Sequence, residues 1–578
     1  MNCNIIIHMK FALFAKYLEK LEGTSSRNEM TVILAKLFGE ASPEDARLIA
    51  YLSAGRLGPA YNSPDTGVAD KMMVKALGPE AEKLFKQKGD LGLVAQEIKS
   101  IRAGEYKSVS IKDVYQKLLE MAGEGGTGSQ EKKQQLIRDL LDGLDAVSAK
   151  YAVKIILGKL RTGFSDMTVL DALSWMIGGD KSKRKEIEKM YNVRADLGEI
   201  AEIIKQIKNS KRIQQIKLEP EIGTPILMAR AERAKNPGEI WARNGKCALE
   251  YKLDGLRIQA HIRAGEQESI SLFSRGLENV TAMYPDVVEG LSKQLKQNCI
   301  VEGEMIAVGS NGRFLPFQET VQRKRKYDIT EMSKKVPLKI FLFDILMTNK
   351  SNMTNKTNRE RRETLEKIVK PGEIVKLMPR IISERETEIE DYFQKALKAG
   401  TEGIVAKKLD GPYQAGARDF NWIKYKKSYT QSALSDTIDA VVMGYDMGQG
   451  KRSSFGIGDF LIGVYQPDLD SFVTIAKIGT GLTDEEWKEM KLKCQMSNVK
   501  SKPENYKVSK QMECDRWVSP KIVVEILADE ITKSPMHSSG YALRFPRLVS
   551  WRDKKPEDST TVAEMEKMFK LQKTGGDY

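Results

Sequence analysis

Residues 250–263 read Glu-Tyr-Lys-Leu-Asp-Gly-Leu-Arg-Ile-Gln-Ala-His-Ile-Arg, and the rest of the chain is organised around them. Asp254-Gly255 is a hairpin-type turn signal, because both residue types tolerate positive φ. Beyond it the pattern alternates strictly. Leu256, Ile258, Ala260 and Ile262 share one face of a strand, and Arg257, Gln259, His261 and Arg263 share the other. Lys252 therefore sits just before a turn, and Arg257 projects from the polar face of the strand that leaves it. A lysine beside a second cation is a candidate covalent nucleophile, since a neighbouring positive charge disfavours the ammonium and frees the amine to attack. Lys-x-Asp-Gly is weak evidence by itself. A second copy stands at Lys408-Leu409-Asp410-Gly411.

Context separates the two copies. Glu250 lies two residues before Lys252 and Arg257 five after it, and Lys408 has neither. Downstream, in order, come Ser274-Arg275-Gly276, Val301-Glu302-Gly303-Glu304, Phe341-Leu342-Phe343-Asp344, Glu402-Gly403-Ile404-Val405-Ala406-Lys407 and Trp422-Ile423-Lys424-Tyr425-Lys426-Lys427. Arg544-Phe545-Pro546-Arg547 follows much later. Over nearly the whole chain this series resembles the covalent nucleotidyltransferases, most closely the ATP-dependent DNA ligases of the archaeal and eukaryotic replicative type.

At 578 residues the chain is too long for one core and should divide into about three domains. The net charge of +14 points to a polyanionic partner. Cys3, Cys247, Cys299, Cys494 and Cys514 are scattered, with no Cys-x-x-Cys pair. That argues for a reducing, intracellular compartment and against a disulfide framework or a zinc ribbon. His8, His261 and His537 are equally scattered and offer no metal cluster. No apolar run approaches a membrane span.

Residues 10 to about 215 read as helices. Leu136, Ile137, Leu140, Leu141 and Leu144 recur at helical spacing, with Ser129 as an N-cap candidate. Gly158 to Asp166 brings Lys159 and Arg161 to a Gly turn before the next helix. The spacing fits an ordinary helix-turn-helix corner as well as a phosphate seat. From 216 to 429 the texture is mixed α/β with largely antiparallel strands, with helices at Val287 to Leu295 and Thr387 to Ala399. The basic run Arg323 to Lys326 reads as a DNA-facing or solvated surface. From 430 to 578 come short strands, Ile438 to Tyr445, Phe460 to Tyr465, Phe472 to Ile478 and Ile522 to Leu527. A strand count near five, a helix at Asp484 to Lys493 and a closing helix at Thr561 to Leu571 suit an OB-type barrel.

The resemblance implies a multidomain protein: an all-α DNA-binding domain over 1–215, an antiparallel-sheet nucleotidyltransferase domain over 216–429 and an OB-fold β-barrel over 430–578. It implies ATP as the AMP donor, Mg²⁺ as the metal and nicked duplex DNA as the partner of a monomer. A sliding clamp is a candidate recruiter, and the setting would be cytoplasmic and nucleoid-associated.

The resemblance also implies residue roles. Lys252 would be the nucleophile, Glu250 would contact the adenine and Phe343 would stack on it. On pattern alone, Phe343 lies in a run that reads as a buried strand. Arg257 and Arg275 would reach the ribose, the α-phosphate or the nick phosphate, and Arg418, Lys424 and Lys426 would line phosphates. Glu304 and Glu402 would lie near the sugar or the metal. Glu302 and Glu304 share a strand face, so spacing does not choose between them. The family more often carries Asp where Glu302 stands. Lys159 and Arg161 would contact DNA. Arg544 and Arg547 would orient the pyrophosphate of ATP in the first step, and the intervening proline would stiffen the pair into one cationic edge.

A capping guanylyltransferase and an RNA ligase share the lysine chemistry, but the long helical region argues against both. A catalytically dead nucleic-acid clamp would not need the full set of charged residues.

Overall fold

The computed structural model describes residues 8–574 apart from 25, 102–107, 161, 208–209, 266–268, 310–311, 316, 326–327, 350, 427–436 and 449–455. Among the described residues, twelve α-helices follow one another from Phe11 to Gln206. Each buries the stripe its periodicity marks. Leu136, Ile137, Leu140 and Leu141 all enter the core from the helix Ser129–Asp142. That helix is capped one residue earlier than the sequence suggests. Gly128 is the cap at φ +82°, a left-handed value that glycine adopts without strain, and Ser129 is already helical.

The chain divides into two compact units. The first comprises Met1–Glu232, Arg243–Glu384 and Val405–Ile423, and the second Arg233–Ala242, Arg385–Ile404 and Lys424–Tyr578.

After the helices come β1 (Arg230–Arg233), β2 (Cys247–Lys252), β3 (Leu256–Arg263), β4 (Ser269–Ser274), β5 (Cys299–Ala307), β6 (Leu338–Thr348), β7 (Ser351–Asn352), β8 (Val375–Leu377), β9 (Arg380–Ser383), β10 (Gly403–Lys408) and β11 (Arg418–Lys426). They form two sheets. One has the order β1-β11-β10-β2-β9, the other β4-β3-β5-β6-β7 with β8 beside β6. β5 and β6 are buried on both faces; β6 accordingly reads as a mostly apolar run, while β5 carries Glu302-Gly303-Glu304 at its centre. On β5, Cys299, Val301 and Met305 face one core and Ile300 and Ile306 another. The helices Pro285–Gln294 and Glu386–Lys398 lie where the sequence places them.

One expectation gives way here. Asp254-Gly255 does not close a hairpin. β2 and β3 belong to different sheets, and neither residue has a positive φ. The glycine serves close approach instead: a Cβ on Gly255 would stand 2.3 Å from the Met305 carbonyl oxygen. The polar face of β3 is buried at Gln259 and His261. Gln259 and His261 are fully buried and bind the backbone of the segment that crosses them. The Ile226 N–H donates to Gln259 Oε1 at 2.8 Å, Gln259 Nε2 donates to the Ile226 carbonyl at 3.0 Å, and the Gly223 N–H donates to His261 Nδ1 at 3.0 Å. Burial pushes the His261 pKa down to about 3, so the ring stays neutral.

In the basic run the surface reading fails at Arg323 alone among the described residues, since Lys324 and Arg325 are exposed. Arg323 is buried, donating to both Asp286 oxygens and to the Val336 carbonyl. Lys324 pairs with Glu278 at 2.5 Å, and Lys326 lies outside the described residues.

In the second unit, β12 (Ile438–Asp446), β13 (Asp459–Gln466), β14 (Ser471–Ile478), β15 (Asn498–Val499), β16 (Tyr506–Lys507), β17 (Arg516–Val518) and β18 (Val523–Leu527) precede the pair β19 (Glu530–Lys533) and β20 (Tyr541–Arg544), and β21 (Arg547–Arg552). The main sheet has the order β15-β17-β12-β13-β14-β16, with β18 joining β12 to β21. Its core takes Trp487, Met490 and Cys494 from the helix Asp484–Met496 and Met565 from the closing helix Val562–Thr574. The OB-type architecture stands. The strands of two to four residues are more numerous than the sequence suggests, because so few residues carry no legible alternation.

Candidate active site

Lys252 is the last residue of β2, and Arg257 the second of β3. The link between them is pressed against β5 at Glu304 and Met305, which would lie 3.0 Å and 2.3 Å from a Cβ on Gly255. The step from one sheet to the other therefore sets the nucleophile candidate near β5, the strand that carries the motif carboxylates. Across the β3–β5 ladder, Arg257 faces Glu304 and Gln259 faces Glu302.

The two carboxylates divide their work. Glu302 is fully buried and accepts from Arg257 Nη2 at 2.8 Å and from Gln259 Nε2 at 3.2 Å. Arg257 also donates to the Ala229 carbonyl at 2.6 Å and lies 5.4 Å from the Phe343 ring centroid. Burial works against the Arg257 guanidinium, and Glu302 more than offsets it, so the group stays charged. Glu302 thus fixes an arginine, while Glu304 keeps partial exposure.

Arg275 follows β4 and is exposed. Burial and the charges of Arg257, Arg230 and Arg418 push its pKa below the ordinary arginine value, against the pull of Glu304. Four arginines on four different segments therefore converge beside one carboxylate. Such a concentration of positive charge is costly without an anion and suits phosphate oxygens. Arg230 belongs to no motif. Its place depends on β1 pairing with β11, a long-range contact that leaves no local mark in the sequence.

Two aromatic rings adjoin the cations. Phe343 is nearly buried and meets Trp422 edge to face, with centroids 5.9 Å apart. Lys407 is buried between them, 4.6 Å from the Phe343 centroid and 4.4 Å from that of Trp422. Its Nζ donates to the Phe343 carbonyl at 3.1 Å and pairs with Glu250 Oε2 at 2.7 Å. Burial pushes the Lys407 ammonium down, while Glu250 and Asp344 pull the other way. Beneath this layer Asp344 and Arg361, both fully buried, pair at 2.7 Å.

The structure thus brings Glu250, Lys252, Arg257, Arg275, Glu304, Phe343 and Arg418 together in the first unit. Glu402, Lys424 and Lys426 fall in the second unit, where Lys426 pairs with Glu402 at 2.7 Å. Arg544 and Arg547 do not form a single edge. Arg544 ends β20 and Arg547 opens β21, with Phe545 turned to φ +50° between them. Each has a carboxylate partner: Glu530 lies 3.3 Å from Arg544, and Asp529 pairs with Arg547. Lys159 pairs with Asp70 at 2.6 Å, and Arg161 lies outside the described residues.

Among the described residues no group of three or more His, Cys, Asp or Glu side chains is placed to hold a metal. No helix among them is long and apolar enough to cross a membrane.

Three family models match the chain. "DNA ligase N terminus" covers residues 10–174, "ATP dependent DNA ligase domain" 228–426 and "ATP dependent DNA ligase C terminal region" 453–555. A "Probable DNA ligase" of Dictyoglomus turgidum is 43% identical over 583 residues, covering 98% of each chain. The "DNA ligase" of Saccharolobus solfataricus is 38% identical over 598 residues, with 98% of each chain covered. Among solved structures, one named Pmar-Lig_PreS3 superposes with a TM-score of 0.53 at 15% identity, over 94% of this chain and 99% of that one. That similarity concerns the fold alone.

Proposed function

The chain belongs to the ATP-dependent DNA ligase family, and we propose that Lys252 is the residue through which it acts. Nick sealing is the family's general activity, with roles in replication and repair, and the chain forms phosphodiester bonds at the expense of ATP. A 5′-phosphate at a nick has no good leaving group, so it must first be activated. Lys252 Nζ attacks the α-phosphorus of ATP, forming a nitrogen–phosphorus bond as pyrophosphate departs with the electron pair. The AMP then passes to the 5′-phosphate, and the 3′-hydroxyl displaces it. Each step is phosphoryl transfer, in which positioning and charge neutralisation supply most of the catalysis.

The observation that carries this reading is the convergence of Arg230, Arg257, Arg275 and Arg418 beside Glu304, next to the strand that ends at Lys252. The arginines take the phosphates, Phe343 stacks on the purine and Glu250 faces its edge. Lys424 and Lys426 add positive charge to the phosphates.

Mg²⁺ keeps several waters and phosphate oxygens and needs only one or two protein carboxylates, which Glu304, partly exposed, is suited to provide. Glu402, paired with Lys426, is the second candidate. When bound, the ion neutralises charge on the phosphates.

Arg544 and Arg547 serve pyrophosphate in the first step, once their acidic partners release them. Residues 1–215 grip DNA, with Lys159 and Arg161 among the contacts. Residues 216–429 adenylate, and 430–578 form the OB-fold partner. The protein works as a monomer that a sliding clamp can recruit. The free cysteines Cys247, Cys299, Cys494 and Cys514 support a reducing, cytoplasmic, nucleoid-associated setting.

The test is incubation with α-labelled ATP, GTP or NAD⁺ followed by a denaturing gel. ATP should give a covalent band that magnesium removal abolishes. A band only with NAD⁺ or only with GTP would overturn the reading.

A further inference from the structure

We propose that Arg380, which stands outside every motif in the sequence, is a specificity-determining residue that reads the base of the nucleotide donor together with Glu250. The proposal rests on the reading above in which Glu250 faces the purine.

Glu250 is 2% exposed, and its two oxygens are used unequally. Oε2 is held by Lys407 at 2.7 Å, whereas Oε1 is buried without a hydrogen-bond partner, Arg362 Nη1 being 4.0 Å away. Directly across the β2–β9 ladder from Glu250 stands Arg380. Directly opposed residues project from the same face with Cβ atoms about 4.5–5.5 Å apart. Arg380 Nη2 donates to Asn358 Oδ1 at 3.1 Å, and Nη1 is buried without a partner. Side by side, then, stand one unpaired acceptor and one unpaired donor, both withdrawn from water. Leaving such groups unpaired is costly, and native proteins leave few of them without reason. The arginine's own charge is disfavoured there, first by burial and then by Arg362, although Glu250 opposes the shift.

An acceptor beside a donor is complementary to adenine, whose exocyclic amine donates next to a ring nitrogen that accepts. Lys407 ties this pair to the stacking surface, because its ammonium lies over the Phe343 ring while holding Glu250 Oε2. Glu250 would take the 6-amino group and Arg380 the adjacent ring nitrogen. A site built to hydrogen-bond two substrate atoms rejects analogues that lack either one.

The experiment measures kcat/KM for covalent lysine–AMP formation by the full-length protein. The donors are ATP, purine riboside triphosphate, 1-deaza-ATP and 7-deaza-ATP. Wild type should lose about tenfold or more with purine riboside triphosphate and with one of the deaza analogues, mainly through KM. Arg380→Met should erase the deaza penalty to within about twofold while keeping the amine penalty, and Glu250→Met, which removes the acceptor, should do the reverse. Arg380→Lys, which retains a donor, should keep part of the deaza penalty. It carries the test if thermal melting shows the Arg380→Met variant misfolded. A wild type indifferent to both deaza analogues, or a folded Arg380→Met that still rejects one, overturns the role of Arg380 alone. A folded Glu250→Met enzyme that still demands the amine shows instead that Glu250 does not face the base, and the pair falls with it.

Discussion

Replacing Glu302 by Gln should disarm the site without emptying it. The side chain is fully buried and accepts from Arg257 Nη2 at 2.8 Å and Gln259 Nε2 at 3.2 Å. Arg257 is 18% exposed, so little solvent can replace the lost charge. Breaking a buried ion pair by removing one partner costs about 3–5 kcal/mol. Glutamine keeps a carbonyl that can still accept one of these bonds, which places the expected loss at about 2–3 kcal/mol. Part of it should surface as lost stability, read from the urea midpoint. The rest should surface as a mispositioned Arg257, slowing lysine–AMP formation by about tenfold for every 1.4 kcal/mol withdrawn from the transition state. Glu302→Asp retains the charge at shorter reach and should fall between the two. A Glu302→Gln protein with wild-type midpoint and wild-type adenylation would refute the claim that this carboxylate holds the arginine.

The other expectations follow from single contacts. Arg544→Ala or Arg547→Ala should slow self-adenylation about tenfold or more, while sealing of DNA supplied already adenylated at its 5′ end changes much less. Equal losses in both assays would assign the arginines to DNA binding or folding. Gly255→Ala should cost roughly 1–3 kcal/mol, because its methyl meets the Met305 carbonyl oxygen, and should depress adenylation in parallel. An unchanged denaturation midpoint would dismiss the close approach. Burial alone would raise the Glu22 carboxyl, but hydrogen bonds from Lys150, Lys154 and Tyr151 bring it down to about 2. A depressed carboxylate pKa stabilises above its ordinary value of 4.5, and that stability is lost as pH falls through about 2. The melting-temperature deficit of Glu22→Gln should therefore be full at neutral pH and narrow below pH 4.5, and a constant deficit would contradict the pairing.

Much of this was legible in the sequence because the motifs are short, ordered and chemically uneven. Glu250, Lys252 and Arg257 stand within eight residues, and the mostly apolar run of β6 announces a buried strand. What connects the motifs was not legible. Asp254-Gly255 reads as a hairpin because turn chemistry is local, whereas the crossing between sheets is decided by strand pairing far away. The burial of Gln259 and His261 was not legible for the same reason, since the segment at 223–226 that covers them is remote in sequence. Arg230, Lys407 and Arg380 acquire their meaning only where β1, β10 and β9 take their places in one sheet. The charge of Arg323 marked it for the surface, and only Asp286, 37 residues earlier, makes its burial tolerable.

The most direct measurement sets the two identical tetrapeptides against each other. Lys252 ends β2 beside the arginine cluster, and Lys408 ends β10 in an exposed position. After reaction with labelled ATP, peptide mapping should place AMP on Lys252. Lys252→Ala should abolish the adduct, and Lys408→Ala should leave it largely intact. AMP recovered on Lys408, or a persistent adduct in folded Lys252→Ala protein, would contradict the account at its centre.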